Sequence, residues 1–526
     1  MAFGLRVPIL KVRYFDPDEF QHLHGARQIY HGDVPYRDYF EHHTPFLHFV
    51  LAKFYPVFGE EVRILFAARV LMMVFTAAIL CGVFILAAML YGIDAGLFAT
   101  LFLSYIIMFL EKTIEVRPDL PAVTFWLAAL IFMVRGIQRN SDSPSSRWHL
   151  FSGLCMGMAI MSTQKALFAF GGIGLSLLWT LADRRLGGSI KHRLKLAFVF
   201  LGGMMIPIAL VCLYFLAHRG LWQFINCNFI MNSRWKVTFS PYNYIKQLLR
   251  QNPFISVISI LGLLIATVRM WRKEGVINGN FVPVLPAYVL IAGLFIMPVP
   301  YRQYYMLFLP LLAVYCGALF KHIAAMDVRF LTSTIRKPQG RLLSFILILL
   351  ALALLTVGLF YTLRFSKPII FDSRSHYLLL WAILLISVIV ALVFKWSAYA
   401  ALVISLGIIA SPLEQTVDQR LRKNDGQLAT AEFIMNATSP DDAVLDGWSG
   451  PGFLRDHAYF YFFLHGEMRA MLTQKQLSDD LIESVEKKQA KIIVYDAAIK
   501  ALPKKVKDYI AANYAPSGHG NIHIRK

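Results

Sequence analysis

With 526 residues, 57% of them hydrophobic and 16% charged, the chain carries far less charge than the roughly 25% of ordinary soluble domains; lipid must solvate much of its length. That excludes a soluble cytosolic enzyme, a disordered chain and a collagen. Five cysteines, with Cys81, Cys155, Cys212 and Cys316 in apolar stretches, exclude a disulfide-stapled scaffold. The formal charge of +20 sits mostly in short loops between apolar runs, where it orients a chain across a bilayer, so no nucleic-acid partner is expected.

Only twelve residues precede a strongly polar amino-terminal segment. They are too few to span and lack a signal-peptide pattern, so the reading favours an upstream span lost through a misplaced start. Apolar runs then cover approximately 64–90, 95–110, 118–134, 149–163, 166–182, 196–216, 254–268, 281–298, 303–320, 344–363, 377–394 and 397–412. They predict a multispan α-helical bundle of about 12 spans, or 13 with the upstream one.

Basic residues fill alternate loops: Arg135, Arg139 and Arg147; Arg184, Arg185, Lys191, Arg193 and Lys195; Arg269, Arg272 and Lys273; Lys321, Arg329, Arg336, Lys337 and Arg341. By the positive-inside rule these face the cytoplasm. Residues 1–63, 111–117, 217–253, 299–302, 364–376 and the tail after 412 then face outward, the periplasmic side in a bacterial inner membrane. Three parts follow: a first outer loop at 1–63, the bundle at 64–412 and a small soluble domain at 413–526. In the last, Val444 to Leu445 and Ile492 to Tyr495 predict strands, and Ser478 to Lys488 and Lys504 to Asn513 predict helices, a compact α/β arrangement.

Polar groups with chemistry gather on the outward side. Asp16-Pro17-Asp18-Glu19 starts a helix, and capping by Asp16 or Asp18 accounts for an isolated acidic pair there as readily as catalysis does. Further on stand Tyr39-Phe40-Glu41-His42-His43-Thr44-Pro45 and Glu111-Lys112-Thr113-Ile114-Glu115-Val116-Arg117-Pro118-Asp119. Arg117 and Asp119 would serve equally as a local ion pair, but charges at a membrane boundary are costly unless paired, hydrated or used. The loop from Ala217 to Pro253 holds Arg219, Arg234, Lys236, Lys246 and Arg250, no acid, and aromatic rings that include Trp222, Phe224, Trp235, Tyr242 and Tyr244. It suits either interface anchoring or an anionic lipid head group. Lys165 and Arg302 add cations at outer helix ends.

The segments Asp18-Glu19, Tyr39 to Pro45, Arg117-Pro118-Asp119, Thr163-Gln164-Lys165 and Tyr304 to Pro310, in this order relative to the spans and the soluble tail, resemble the C-type membrane glycosyltransferases. The bacterial branch similar to protein O-mannosyltransferases and the lipid A aminoarabinose transferase is the nearest in pattern, and the resemblance runs over nearly the whole chain. It implies an integral-membrane enzyme that uses a polyprenyl-phosphate sugar donor and a lipid, glycan or protein hydroxyl as acceptor. The catalytic acids implied are Asp18, with Glu19 beside it, Glu41 and, less directly matched, Asp119. The donor-phosphate contacts implied are Lys165, Arg302, Arg117 and His43.

Where relatives carry a lysine after the second acid and two prolines soon after, this chain has His42-His43-Thr44-Pro45. Asp18, Glu41, His42 and His43 thereby offer oxygen and nitrogen donors to a divalent metal ion. A secondary transporter or lipid flippase is the alternative from another class; it would show paired broken helices and ionisable groups near the bilayer midplane. A non-enzymatic envelope scaffold is a second alternative and leaves the acidic segments without use.

Overall fold

The computed structural model describes residues 2–138, 146–182, 189–272, 279–324 and 423–526. The predicted spans at 344–363, 377–394 and 397–412, the loop at 364–376 and the boundary at 412 lie outside the described residues. Helices α1 (Ala2–Val12), α2 (Pro17–Tyr30), α3 (Phe46–Ala52) and α4 (Tyr55–Phe58) precede the bundle. The bundle continues through α5 (Ile64–Tyr91), α6 (Ile93–Tyr105), α7 (Ile107–Lys112), α8 (Asp119–Gln138), α9 (Ser146–Ser162), α10 (Ala166–Ala182) and α11 (Ile190–Ala217). After α12 (Leu221–Ile225) and α13 (Tyr242–Gln251) come α14 (Pro253–Trp271), α15 (Val284–Ile296) and α16 (Leu309–Ala324). Among the described residues, α5, α8, α11 and α14 are long and apolar enough to cross a membrane.

Two predicted runs are interrupted. The run at 95–110 breaks at Ile106, whose backbone is extended. Asn252 holds the break from outside: its side chain accepts from the Ile107 N–H at 3.1 Å and donates to the Tyr105 carbonyl at 3.2 Å, replacing bonds the helix loses there. The run at 303–320 begins as a 3₁₀ turn, Arg302–Leu307, before α16. A periodic apolar pattern carries no sign of either break, because the compensating groups stand elsewhere in the chain.

Close helix contact relies on small residues. Gly153 and Gly157, one turn apart on α9, meet α11 so tightly that a Cβ on Gly153 would stand 2.0 Å from the Phe200 carbonyl oxygen. In lipid, where apolar surface has no preference for a neighbouring helix, such approach of backbones is a main source of association.

The segments predicted to face outward do meet at one end. Thr44 donates to the Ile160 carbonyl at 3.0 Å, Gln164 and Asn232 both donate to the His42 carbonyl, and Tyr305 donates to the Pro241 carbonyl at 2.6 Å.

The tail forms a five-stranded sheet in the order β2-β1-β3-β5-β4. Strands β1 (Ala443–Asp446), β2 (Asp456–His457) and β3 (Ile492–Val494) are parallel; β5 (Ile522–Arg525) runs antiparallel to β3 and to β4 (Tyr514–Pro516). The predicted strands at 444 and 492 and the two predicted helices are present. β2 and β4 are too short for period-two alternation to mark them, whereas β5, Ile522-His523-Ile524-Arg525, alternates and was not singled out. The domain is seated on the first outer segment: Asn424 N–H donates to the Val12 carbonyl at 3.0 Å, and Phe40 N–H donates to the Phe460 carbonyl at 3.0 Å.

Candidate active site

Helix α2 starts where the sequence directs it. Asp16 is the N-cap and forms a capping box with Glu19, with Pro17 in the first turn. Capping therefore falls to Asp16, which leaves Asp18 turned to a different partner. Arg117 donates to Asp18, to Asp16 at 3.0 Å and to Glu115. Glu115, fully buried, also takes Arg13 at 2.7 Å and Lys112 at 2.8 Å. One guanidinium thus ties the start of α2 to the loop before α8, and three further charges hold that loop. The alternative of a local Arg117–Asp119 pair is corrected by this arrangement: Asp119 instead accepts from Lys165 at 2.7 Å, and the ammonium lies 3.8 Å from the centre of the Tyr304 ring.

Burial pushes the Asp16 carboxyl up to about 6; Arg117 pulls it down, and Glu115 and Asp18 push it further up. The sign for stability follows. Between its unfolded value of 3.8 and about 6, the folded protein holds a proton that the unfolded chain has released. Asp16 therefore contributes most below pH 4, and its contribution is lost as the pH rises through 6. Asparagine caps as well as aspartate. Asp16→Asn is thus expected to raise the unfolding temperature at pH 8, by less at pH 5, and to leave it near the wild-type value below pH 4, a comparison made by thermal unfolding of the two proteins side by side.

Glu19 has a different fate from Asp18. Its carboxylate is wholly buried and takes a two-pronged ion pair from Arg69 at 2.7 and 2.8 Å, together with the N–H of Asp16 and of Val116. Arg69 spends its remaining donors on the carbonyls of Leu10, Arg13 and Tyr14 and lies over the Phe15 ring. No edge of Glu19 is left for a substrate.

Gln21 stands one turn beyond Asp18 on α2 and donates to both Glu41 oxygens at 3.3 Å. Glu41 is fully buried and also accepts from the backbone N–H groups of His42 and His43, while His43 Nδ1 lies 2.8 Å and His48 Nε2 3.3 Å from it. Burial opposes its ionisation, but His48 and His43 hold the carboxyl well below the usual range. Donor atoms of His22, Glu41 and His43 all lie within 4.8 Å of one another, a grouping suited to a metal ion. His22 Nε2 is buried without a hydrogen-bond partner among the described residues, and burial first, then His43 and His48, hold its imidazole neutral, the form that binds metals.

Of the residues expected to hold a metal, Glu41 and His43 fall within this grouping. Asp18 lies outside it, with one carboxylate oxygen paired to Arg117, as does His42, whose Nδ1 is 3.7 Å from Glu41 and whose ring stacks on Phe40; His22 is the third member. Arg302, expected at the donor phosphate together with Lys165, is paired with Glu111.

The sequence reading did not single out Arg13, His22, His48, Arg69 or Glu115. Arg69 had a visible signal, a lone charge in the first turns of an apolar run. The histidines of α2 had none, since His22 and His24 share a helix turn and only the tertiary fold separates their partners.

Residues 42–215 match the family of dolichyl-phosphate-mannose-protein mannosyltransferases. Comparison with curated proteins gives no significant match. The ArnT of Cupriavidus metallidurans, in its crystal structure bound to undecaprenyl phosphate, superposes with a TM-score of 0.62 at 17% identity, over 99% of this chain and 96% of that one. Archaeoglobus fulgidus AglB, an archaeal oligosaccharyltransferase in complex with an inhibitory peptide and a dolichol-phosphate, gives 0.52 at 12% identity over 94% and 69%. The same organism's oligosaccharyltransferase in complex with Zn and sulfate gives 0.50 at 11% over 94% and 67%. Over nearly its whole length the chain shares the fold of the Cupriavidus metallidurans ArnT.

Proposed function

We propose that the chain is an inner-membrane glycosyltransferase of about twelve spans that moves one sugar from a polyprenyl-phosphate donor to a hydroxyl of a lipid, glycan or protein at the periplasmic face. The observation that carries this reading is the Arg117 clamp, which holds the Asp18 carboxylate within electrostatic reach of Lys165, itself paired with Asp119, at the end of the bundle where the outer segments meet. Asp18 accepts the acceptor hydroxyl proton as the new bond to the anomeric carbon forms. The bond from that carbon to the phosphate oxygen breaks, and its electron pair leaves with the phosphate. Lys165 and Arg117 are the cations available to the charge that develops there, in a site with little water to screen it. Glu19 anchors the loop through Arg69 and takes no part in proton transfer. The acidic clusters stand at helix ends and in loops among the described residues, which favours this reading over a transporter with its ionisable groups at the midplane.

The test is incubation of the purified protein, reconstituted in lipid, with polyprenyl-phosphate sugar and membrane extract, followed by mass analysis. Donor consumption with matching appearance of polyprenyl phosphate and a glycosylated product is the expected result; intact donor after long incubation would refute it.

His22, Glu41 and His43 would hold a divalent ion, with two nitrogens and one oxygen that suit zinc among other metals. Such an ion would supply positive charge at His22, one turn of α2 beyond Asp18. The purified protein is expected to bind about one equivalent of zinc by elemental analysis, and His22→Ala with Glu41→Gln to weaken that binding at least roughly tenfold. Equal zinc content in wild type and variant would remove the assignment.

A further inference from the structure

Between the start of α2 and the tail domain lies a cleft whose walls include Phe20, Gln21, His24, Asp446, Trp448 and Phe463. Pro17 lines it too, so the cleft adjoins Asp18 in sequence and in space.

The loop that forms its far wall is built to stay in place. It follows β1 as Asp446-Gly447-Trp448-Ser449-Gly450-Pro451-Gly452. Asp446 accepts the N–H groups of Gly450 and Gly452, and Asp496 accepts those of Trp448 and Ser449. Gly450 has φ +87°, and a Cβ there would stand 2.4 Å from Phe20, so only glycine lets the loop sit this close to α2.

Against this fixed frame the aromatic rings form a continuous path. Trp448 lies 4.9 Å from His465, His465 is stacked on Phe463 at 5.6 Å and on Trp235 at 5.8 Å, and Phe463 lies 5.4 Å from His42. Trp235 comes from the basic loop, His42 from the first outer segment, and the others from the tail domain. Trp448 and Trp235 keep part of their surface exposed, and the Trp448 indole N–H has no hydrogen-bond partner among the described residues. Polar groups edge the path: Gln21 on α2, and Glu467, which lies 2.8 Å from His465 Nδ1.

We propose that this aromatic path and cleft form the acceptor subsite and that the acceptor is a saccharide. This rests on the transferase reading above and narrows its acceptor to one class. A pyranose presents a face of weakly positive C–H groups, which the negative faces of Trp448 and Trp235 attract, and an equatorial rim of hydroxyls, which Gln21, Glu467 and the Trp448 N–H can meet. A peptide offers no such flat C–H face, and a bare lipid tail has no use for the polar rim.

The experiment titrates the full-length protein in lipid nanodiscs with chitotetraose and with maltotetraose, following tryptophan fluorescence. A saturable change with at least one of them is expected, weakened about tenfold or more in Trp448→Ala and about threefold in Trp448→Phe, which keeps a ring and loses the N–H. Unfolding temperatures of both variants close to the wild-type value accompany the expected result. Absence of a saturable change with both sugars, or affinity in Trp448→Ala equal to wild type, overturns the inference; so does a Trp448→Ala protein whose loss of affinity tracks a loss of folded fraction while Trp448→Phe binds as wild type. Saccharide binding by a wild-type protein that leaves all donor intact would retire the transferase reading alone, and transfer to a peptide without saccharide binding would retire the subsite alone.

Discussion

Asp18→Asn is expected to lower sugar transfer from polyprenyl phosphate by roughly 10²- to 10⁴-fold, the contribution of a positioned general base, with an unfolding temperature close to that of the wild type. Both halves of the expectation come from the geometry. Arg117 retains Asp16 and Glu115 when Asp18 loses its charge, so no buried guanidinium is left alone, and Asp16 continues to cap α2. The amide fills the same space but cannot take a proton at neutral pH. Single-turnover measurement with a purified donor separates the chemical step from donor binding: the rate constant falls and the donor concentration giving half-maximal rate stays within about threefold. Turnover equal to wild type would remove Asp18 as the base and direct attention to Asp16, which faces the same guanidinium.

Much of the fold was legible because lipid imposes a simple rule on sequence. A spanning helix must satisfy its own backbone and present apolar side chains along its length, so α5, α8, α11 and α14 stand where the apolar runs stand. The start of α2 was equally plain from Asp16-Pro17 and Glu19, a local pattern with a local cause. The candidate site was legible only as a set of residue types on one side. Which acid meets which cation depends on contacts across about 100 positions, such as Arg117 with Asp18 or Arg13 with Glu115, and no spacing within either segment encodes them. Lys165 shows the point well. Its partner Asp119 and its ring Tyr304 come from two other helices' ends, and the sequence reading placed Asp119 with Arg117 as the local option. The aromatic path across the tail domain was hidden for the same reason: Trp235, His42 and His465 lie in three separate segments, each of which accounts for its own ring as an anchor or a core residue.

Glu19→Gln is expected to be the most destabilising single change in the outer segment. The substitution leaves Arg69, fully buried, without its counter-charge, and removing one partner of such a pair costs roughly 3–5 kcal/mol. Because Arg69 also fastens the carbonyls of Leu10, Arg13 and Tyr14, the loss would spread to the whole α1–α2 connection and thus to the footing of Asp18. Yield of folded protein from membranes and the unfolding temperature would both fall, and transfer with them. A second variant distinguishes an anchor from a reactant. Replacing both partners with apolar residues of similar volume, Glu19→Leu with Arg69→Met, removes the two buried charges together, and such exchanges are often neutral in stability or better. If Glu19 acts only by holding the loop, the double variant regains folding and a substantial share of transfer, whereas a double variant that folds as the wild type does and transfers nothing would give Glu19 a direct role in the chemistry. The hydrogen bonds from Arg69 to the three carbonyls go with the side chain, so full recovery of rate is not expected. The readable quantity is the rate per folded molecule, compared with the single variant under the same conditions.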